Sequence, residues 1–101
     1  MKKTFIKEIN LSRFKLEYYI IEKQINTTNG ALYFHSYGIE IIKKAGDIIE
    51  TKAIMNVVYS EELARNLAES LAKNKVTPLT MEEVIDDYIK NRPHKLNLKR
   101  A

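Results

Sequence analysis

The residue types best suited to chemistry gather in a few places along the 101-residue chain. An aromatic run, Tyr33-Phe34-His35-Ser36-Tyr37, follows an Asn29-Gly30 pair and is expected to face Tyr18 and Tyr19 across the turn that pair makes. Aromatic rings on an open sheet face can stack nucleobases. The same rings also stabilise a hairpin by pairing across strands, which is the simpler reading. Tyr18, Tyr33, His35 and Tyr37 are therefore candidate interaction residues. Basic residues to accompany a base-stacking platform are sparse in this stretch, and no RNP consensus is present. His35 is an imidazole of the kind that serves as a general base, but no nucleophile or carboxylate stands at a telling spacing from it. A second cluster, Glu82, Glu83, Asp86 and Asp87, places carboxylates on one face of a helix. Such a face can attract a hard cation, yet the spacing and glycine of a calcium loop are absent, and a solvated face explains it as well.

Charge forms the third cluster. Lys90, Arg92, Lys95, Lys99 and Arg100 fall within the final 12 residues, with no acid among them. They could attract phosphate without regard to sequence, with Lys2 and Lys3 assisting, or simply solubilise the chain end. The chain carries 17 basic and 13 acidic residues for a net charge of +4. Without those five basic residues the remainder has 12 basic against 13 acidic groups, a net of −1. The high pI is thus a property of the tail. The absence of cysteine removes disulfides, thiol catalysis and thiolate metal sites, and fits a cytoplasmic protein. Three glycines leave no phosphate-cradling loop, and the two histidines are far apart, so neither a cofactor nor a metal is expected. No apolar run is long enough for a membrane span. With no nucleophile–base–carboxylate set, a non-enzymatic role is expected.

The elements that would position these residues divide the chain in two. The first half reads as four strands: Thr4–Ile9, Arg13–Ile25, Ala31 to about Lys43, and Ile48–Tyr59. In the second strand apolar residues switch parity after Ile20, which predicts a bulge near Ile20–Ile21. Gly38 interrupts the third strand and marks a bulge or a close backbone approach. Asn29-Gly30 and Lys44-Ala45-Gly46-Asp47 are hairpin turns, and short turns require antiparallel neighbours. At Ser60, a good N-cap, the period becomes helical, with a stripe of Leu63, Ala64, Leu67, Ala68 and Leu71. Thr77-Pro78 ends that helix. Thr80 and Glu83 form a capping box for a second helix, Met81 to about Asn91, whose apolar face is Met81, Val84, Ile85, Tyr88 and Ile89.

The expected architecture is α+β: a four-stranded antiparallel meander followed by two C-terminal helices packed on one face. Residues 1–90 make one domain, and 91–101 form a basic tail. Parity counting puts apolar residues on both faces of the last two strands: Tyr33, Tyr37, Ile39 and Ile41 against Leu32, Phe34 and Ile42 in one, and Ile49, Met55 and Val57 against Ile48, Ile54 and Val58 in the other. Helices can cover only one face, so a homodimer or a partner protein is expected to cover the second. Twist and bulges can also break the alternation that this count assumes.

The segment Tyr37-Gly38-Ile39-Glu40-Ile41, the strand running into Ser60, the linker Asn74-Lys75-Val76-Thr77-Pro78 and the acidic helix with Glu83-Val84-Ile85-Asp86-Asp87 together resemble a small family. Its members are uncharacterised proteins of anaerobic spore-forming bacteria. The resemblance covers roughly residues 14–90. It implies a single-domain, cytoplasmic, bacterial protein and carries over no functional residue. The leading expectation is therefore a protein-interaction or regulatory module that associates with itself through the sheet. The alternative is nucleic-acid binding through the tail.

Overall fold

The computed structural model describes residues 1–26 and 33–91. The Asn29-Gly30 turn, Leu32 and the tail from Arg92 onward lie outside the described residues. Four strands, β1 (Lys2–Asn10), β2 (Lys15–Asn26), β3 (Tyr33–Ala45) and β4 (Ile48–Val58), form one antiparallel sheet in the order β1-β2-β3-β4. Helices α1 (Glu61–Lys73) and α2 (Met81–Lys90) follow. The α+β meander expected from the sequence is the observed fold.

The most deeply buried apolar residues of the central strands show which face the helices cover. Leu16, Tyr18 and Ile20 of β2 lie opposite Lys43, Ile41 and Ile39 of β3, and all but Lys43 are buried. Against them α1 presents Ala64, Leu67, Ala68, Leu71 and Ala72, and α2 presents Met81 and Ile85. Three alanines on one stripe let the helix backbone approach the sheet closely, while each buried Leu contributes about 1.5–3 kcal/mol. Leu63 of the expected stripe is instead half-exposed, one residue beyond the buried arc.

The bulge expected near Ile20–Ile21 is not there. Pairing of β2 with β3 runs without interruption from Lys15–Lys44 to Asn26–Tyr33. The parity switch has another cause: Ile20 faces the helices and Ile21 packs on the opposite face, across from Lys3 and Gly38, so both faces are apolar at that point. A bulge does occur in β1, between Phe5 and Lys7. It turns both Ile6 and Ile9 toward the helices despite their odd spacing.

Gly38 fulfils both expectations made for it. The β3–β4 register shifts between Tyr37 and Ile39, which pair with Val58 and Ile54. Residues Met55–Val57 therefore bulge opposite Gly38, with Asn56 at φ 60°. A Cβ on Gly38 would stand 2.5 Å from the Ile54 carbonyl oxygen and 2.8 Å from Met55 Cα. The buried Ser36 hydroxyl donates to Asn56 Oδ1 at 2.7 Å and holds the bulge. At the other end of β4, Gly46 at φ 62° and Asp47 make a two-residue turn, with glycine at the first central position as a type II′ turn requires.

Ser60 caps α1, its hydroxyl accepting from the Leu63 amide at 3.1 Å. The helix ends in a Schellman motif: Val76 N–H donates to the Leu71 carbonyl and Lys75 N–H to that of Ala72, with Lys75 left-handed at φ 54°. The capping box expected at Thr80 does not form. Thr80 sits at φ −100°, ψ −2°, and its hydroxyl turns back to Thr77, to which it bonds in place of the helix amides.

Candidate interaction surface

The aromatic quartet divides between core and surface. Tyr18 is fully buried beneath α1, and its hydroxyl donates to the Val76 carbonyl at 2.7 Å. Burial raises its pKa to about 12. Tyr37 is buried as well. Neither is available to a partner in this fold. Tyr33 is exposed, and its ring meets His35 edge-on at 6.0 Å. Tyr18 and Tyr19 do not face the aromatic run across the turn: they pair with Ile41 and Glu40, and Tyr33 pairs with Asn26.

His35 acquires a partner that linear spacing conceals. Its Nδ1 lies 2.6 Å from Glu22 Oε2, one step diagonally across the β2–β3 ladder. Lys2 and Gln24 complete a shallow depression there. Only the register reveals this pairing. Nearby, Lys23–Asn26 and Tyr33–Ser36 extend beyond the paired lengths of β1 and β4, and Phe34 packs edge-on against Tyr59 at 5.6 Å.

The face opposite the helices is not the apolar surface that parity counting suggests. Ion pairs lace it. Glu17 is buried beneath Lys44 at 3.2 Å and Lys15 at 3.6 Å and accepts from the Tyr19 hydroxyl at 3.0 Å. Burial pushes the Glu17 carboxyl up, but Tyr19, Lys44 and Lys15 outweigh it and hold it below the usual carboxylate range. Glu40 pairs with Lys3 at 2.8 Å and accepts from Thr51 at 3.1 Å. Hydrogen bonding to Glu40 raises the Lys3 pKa. Lys3 also stands 4.6 Å over the Tyr19 ring, which Phe5 meets edge-on.

One margin of the sheet carries a group of exposed apolar side chains. Ile48 and Ile49 of β4 are 67% and 62% exposed, and Leu79 is 88% exposed. Pro78 and Leu79 of the helix linker border the edge strand beside Glu50, Thr51 and Lys52. The opposite margin differs. β1 carries Lys2, Lys3 and Lys7 and the bulge at Phe5–Lys7, two devices that discourage strand addition.

On α2, Glu82 pairs with Lys52 at 3.0 Å, and Glu82, Glu83, Asp86 and Asp87 line an open concavity with Lys90. Among the described residues no group of three or more acids or histidines is placed to hold a metal ion. No described helix is long and apolar enough to cross a membrane. Of the five tail residues singled out for phosphate contact, only Lys90 is described, and it is exposed.

A family model matches residues 2–91, the span from β1 to the end of α2, and its description is a family of unknown function, DUF6514. The chain belongs to the DUF6514 family. No curated protein and no solved structure matches it significantly. The DUF6514 match is wider than the resemblance read over residues 14–90: it takes in all of β1 and ends at residue 91, the first of the basic tail. Both edges of the sheet and the whole linker of residues 74–80 lie within the family's span.

Proposed function

We propose that the protein is a non-enzymatic interaction module that associates with a second copy of itself through its sheet. The observation that carries this reading is the open edge of β4, where Ile48 and Ile49 are exposed beside Leu79. An edge strand presents unpaired amides and carbonyls, and proteins ordinarily blunt it with lysines, prolines or bulges. The β1 edge is blunted so; the first half of β4 carries Lys52 alone among these devices. Pairing this edge would remove exposed apolar surface and satisfy the backbone together. Light scattering over a micromolar concentration series tests the reading. The expected mass approaches twice 11.8 kDa as concentration rises. A constant mass of 11.8 kDa at high concentration would refute it.

A further inference from the structure

The β4 edge is self-complementary. Its straight portion is Ile48-Ile49-Glu50-Thr51-Lys52-Ala53-Ile54, bounded by the Gly46-Asp47 turn and by the bulge at Met55–Val57. Laid antiparallel against a second copy with Thr51 facing Thr51, it sets Glu50 opposite Lys52, Ile49 opposite Ala53 and Ile48 opposite Ile54. Charge meets opposite charge, the bulky Ile49 meets a small residue, and the flanking isoleucines meet each other.

The backbone agrees with this pairing. The two-residue turn makes Ala45–Ile48 the closing hydrogen-bonded pair of the β3–β4 hairpin. Alternation from there turns the amides and carbonyls of Ile49, Thr51 and Ala53 outward, to the open edge. In the Thr51-centred register these groups meet their own kind: Thr51 with Thr51, and Ile49 with Ala53. The faces agree too. Glu50, Lys52 and Ile54 share the helix side, as the 3.0 Å contact of Lys52 with Glu82 shows, so both copies keep their helices on one face of a continuous sheet.

Neighbouring registers lack these matches. Centring the two-fold axis on Glu50 or Lys52 puts like charges face to face. Centring it on Ile49 sets Glu50 opposite Ile48 and Lys52 opposite the turn residue Gly46, and centring it on Ala53 sets Lys52 opposite Ile54 and Glu50 opposite the bulged Asn56, so neither charge meets its opposite. A slip to an odd register sets outward groups against inward ones and reverses one copy's faces. Existing contacts extend the match: Glu50 already lies 3.6 Å from Lys43, so pairing would make a row of alternating sign from Lys43 through Glu50 to the second copy's Lys52 and its Glu82.

We infer that a second copy of the chain docks on the β4 edge by antiparallel strand addition, in the register that centres the two-fold axis on Thr51. This inference rests on the self-association reading above and specifies its site. Glu50 and Lys52 have 57% and 40% exposed side chains, so reversing either charge leaves the core intact. Glu50→Lys alone and Lys52→Glu alone each place two like-charge pairs across the axis. Each is expected to raise the dissociation constant about tenfold or more. Mixing the two single variants restores opposite pairs and is expected to yield a heterodimer at concentrations where each alone is monomeric. The double variant Glu50→Lys/Lys52→Glu restores opposite pairs across the axis and is expected to dimerise more tightly than either single variant, though less tightly than the parent because Lys43 and Glu82 then meet like charges. Sedimentation velocity, with circular dichroism to confirm folding, reads all four species. If the parent dimerises and the single variants do so equally well, this register is overturned while self-association stands. If the parent stays monomeric throughout, the self-association reading falls as well.

Discussion

Tyr18 joins the sheet to the helix linker through one buried hydrogen bond. Its ring fills the centre of the core, and its hydroxyl satisfies the Val76 carbonyl just past the end of α1. Tyr18→Phe keeps the ring and strands that carbonyl, which should cost about 1–2 kcal/mol in a denaturant titration. Its pH signature follows from the raised pKa. The folded state holds the phenolic proton up to about pH 12, while the unfolded state releases it near the ordinary tyrosine value of 10.0. Between that raised value and the ordinary tyrosine value of 10.0 the folded chain binds more protons, so stability falls as pH rises through that window. The Tyr18→Phe variant should lose this part of the alkaline slope. No alternation rule distinguishes a tyrosine buried in this way from one exposed to a partner. Tyr18 occupies a helix-facing position either way, and only the meeting of β2 with residue 76 shows what its hydroxyl reaches.

Each element of the sheet is shaped by where its ladder is interrupted. Gly38 permits the β4 bulge, because Ile54 and Met55 occupy the space where a Cβ would be. Gly38→Ala should destabilise the fold by about 2–3 kcal/mol, measured by thermal or denaturant unfolding, since two of the atoms in the way belong to the backbone. Elements with strong local signals are legible in the sequence: four strands, the Ser60 cap, the turn at Gly46 and, Leu63 apart, the apolar stripes of both helices stand where the pattern indicates. Features decided by tertiary contact were not. The Ile20–Ile21 parity switch looked like a bulge because a two-sided apolar strand and a bulged strand share one pattern. The true β1 bulge lies at Phe5-Ile6-Lys7, where its trace in the sequence is only the odd spacing of Ile6 and Ile9, too short a run to tell a bulge from a strand apolar on both faces. Thr80 and Glu83 have capping-box spacing, but the preceding Thr77 captures the hydroxyl first. The ion pairs on the open face were likewise concealed, because Glu17 with Lys44 and Lys3 with Glu40 are brought together only by register.

For the whole molecule, one sheet carries helices on one face and a charge network on the other, and its two margins differ in character. The β1 margin is lysine-rich and bulged, whereas the β4 margin is straight, apolar at one end and matched to itself about Thr51. Amide hydrogen exchange at low and high protein concentration tests this account most directly. In a lone chain the outward amides of Ile49, Thr51 and Ala53 are free to exchange, while those of Glu50 and Lys52 are protected by β3. We predict that the first three slow markedly as concentration rises and that the other two change little. Unprotected exchange at Ile49, Thr51 and Ala53 at every concentration, or new protection confined to β1 or to the sheet's charged face, would contradict it.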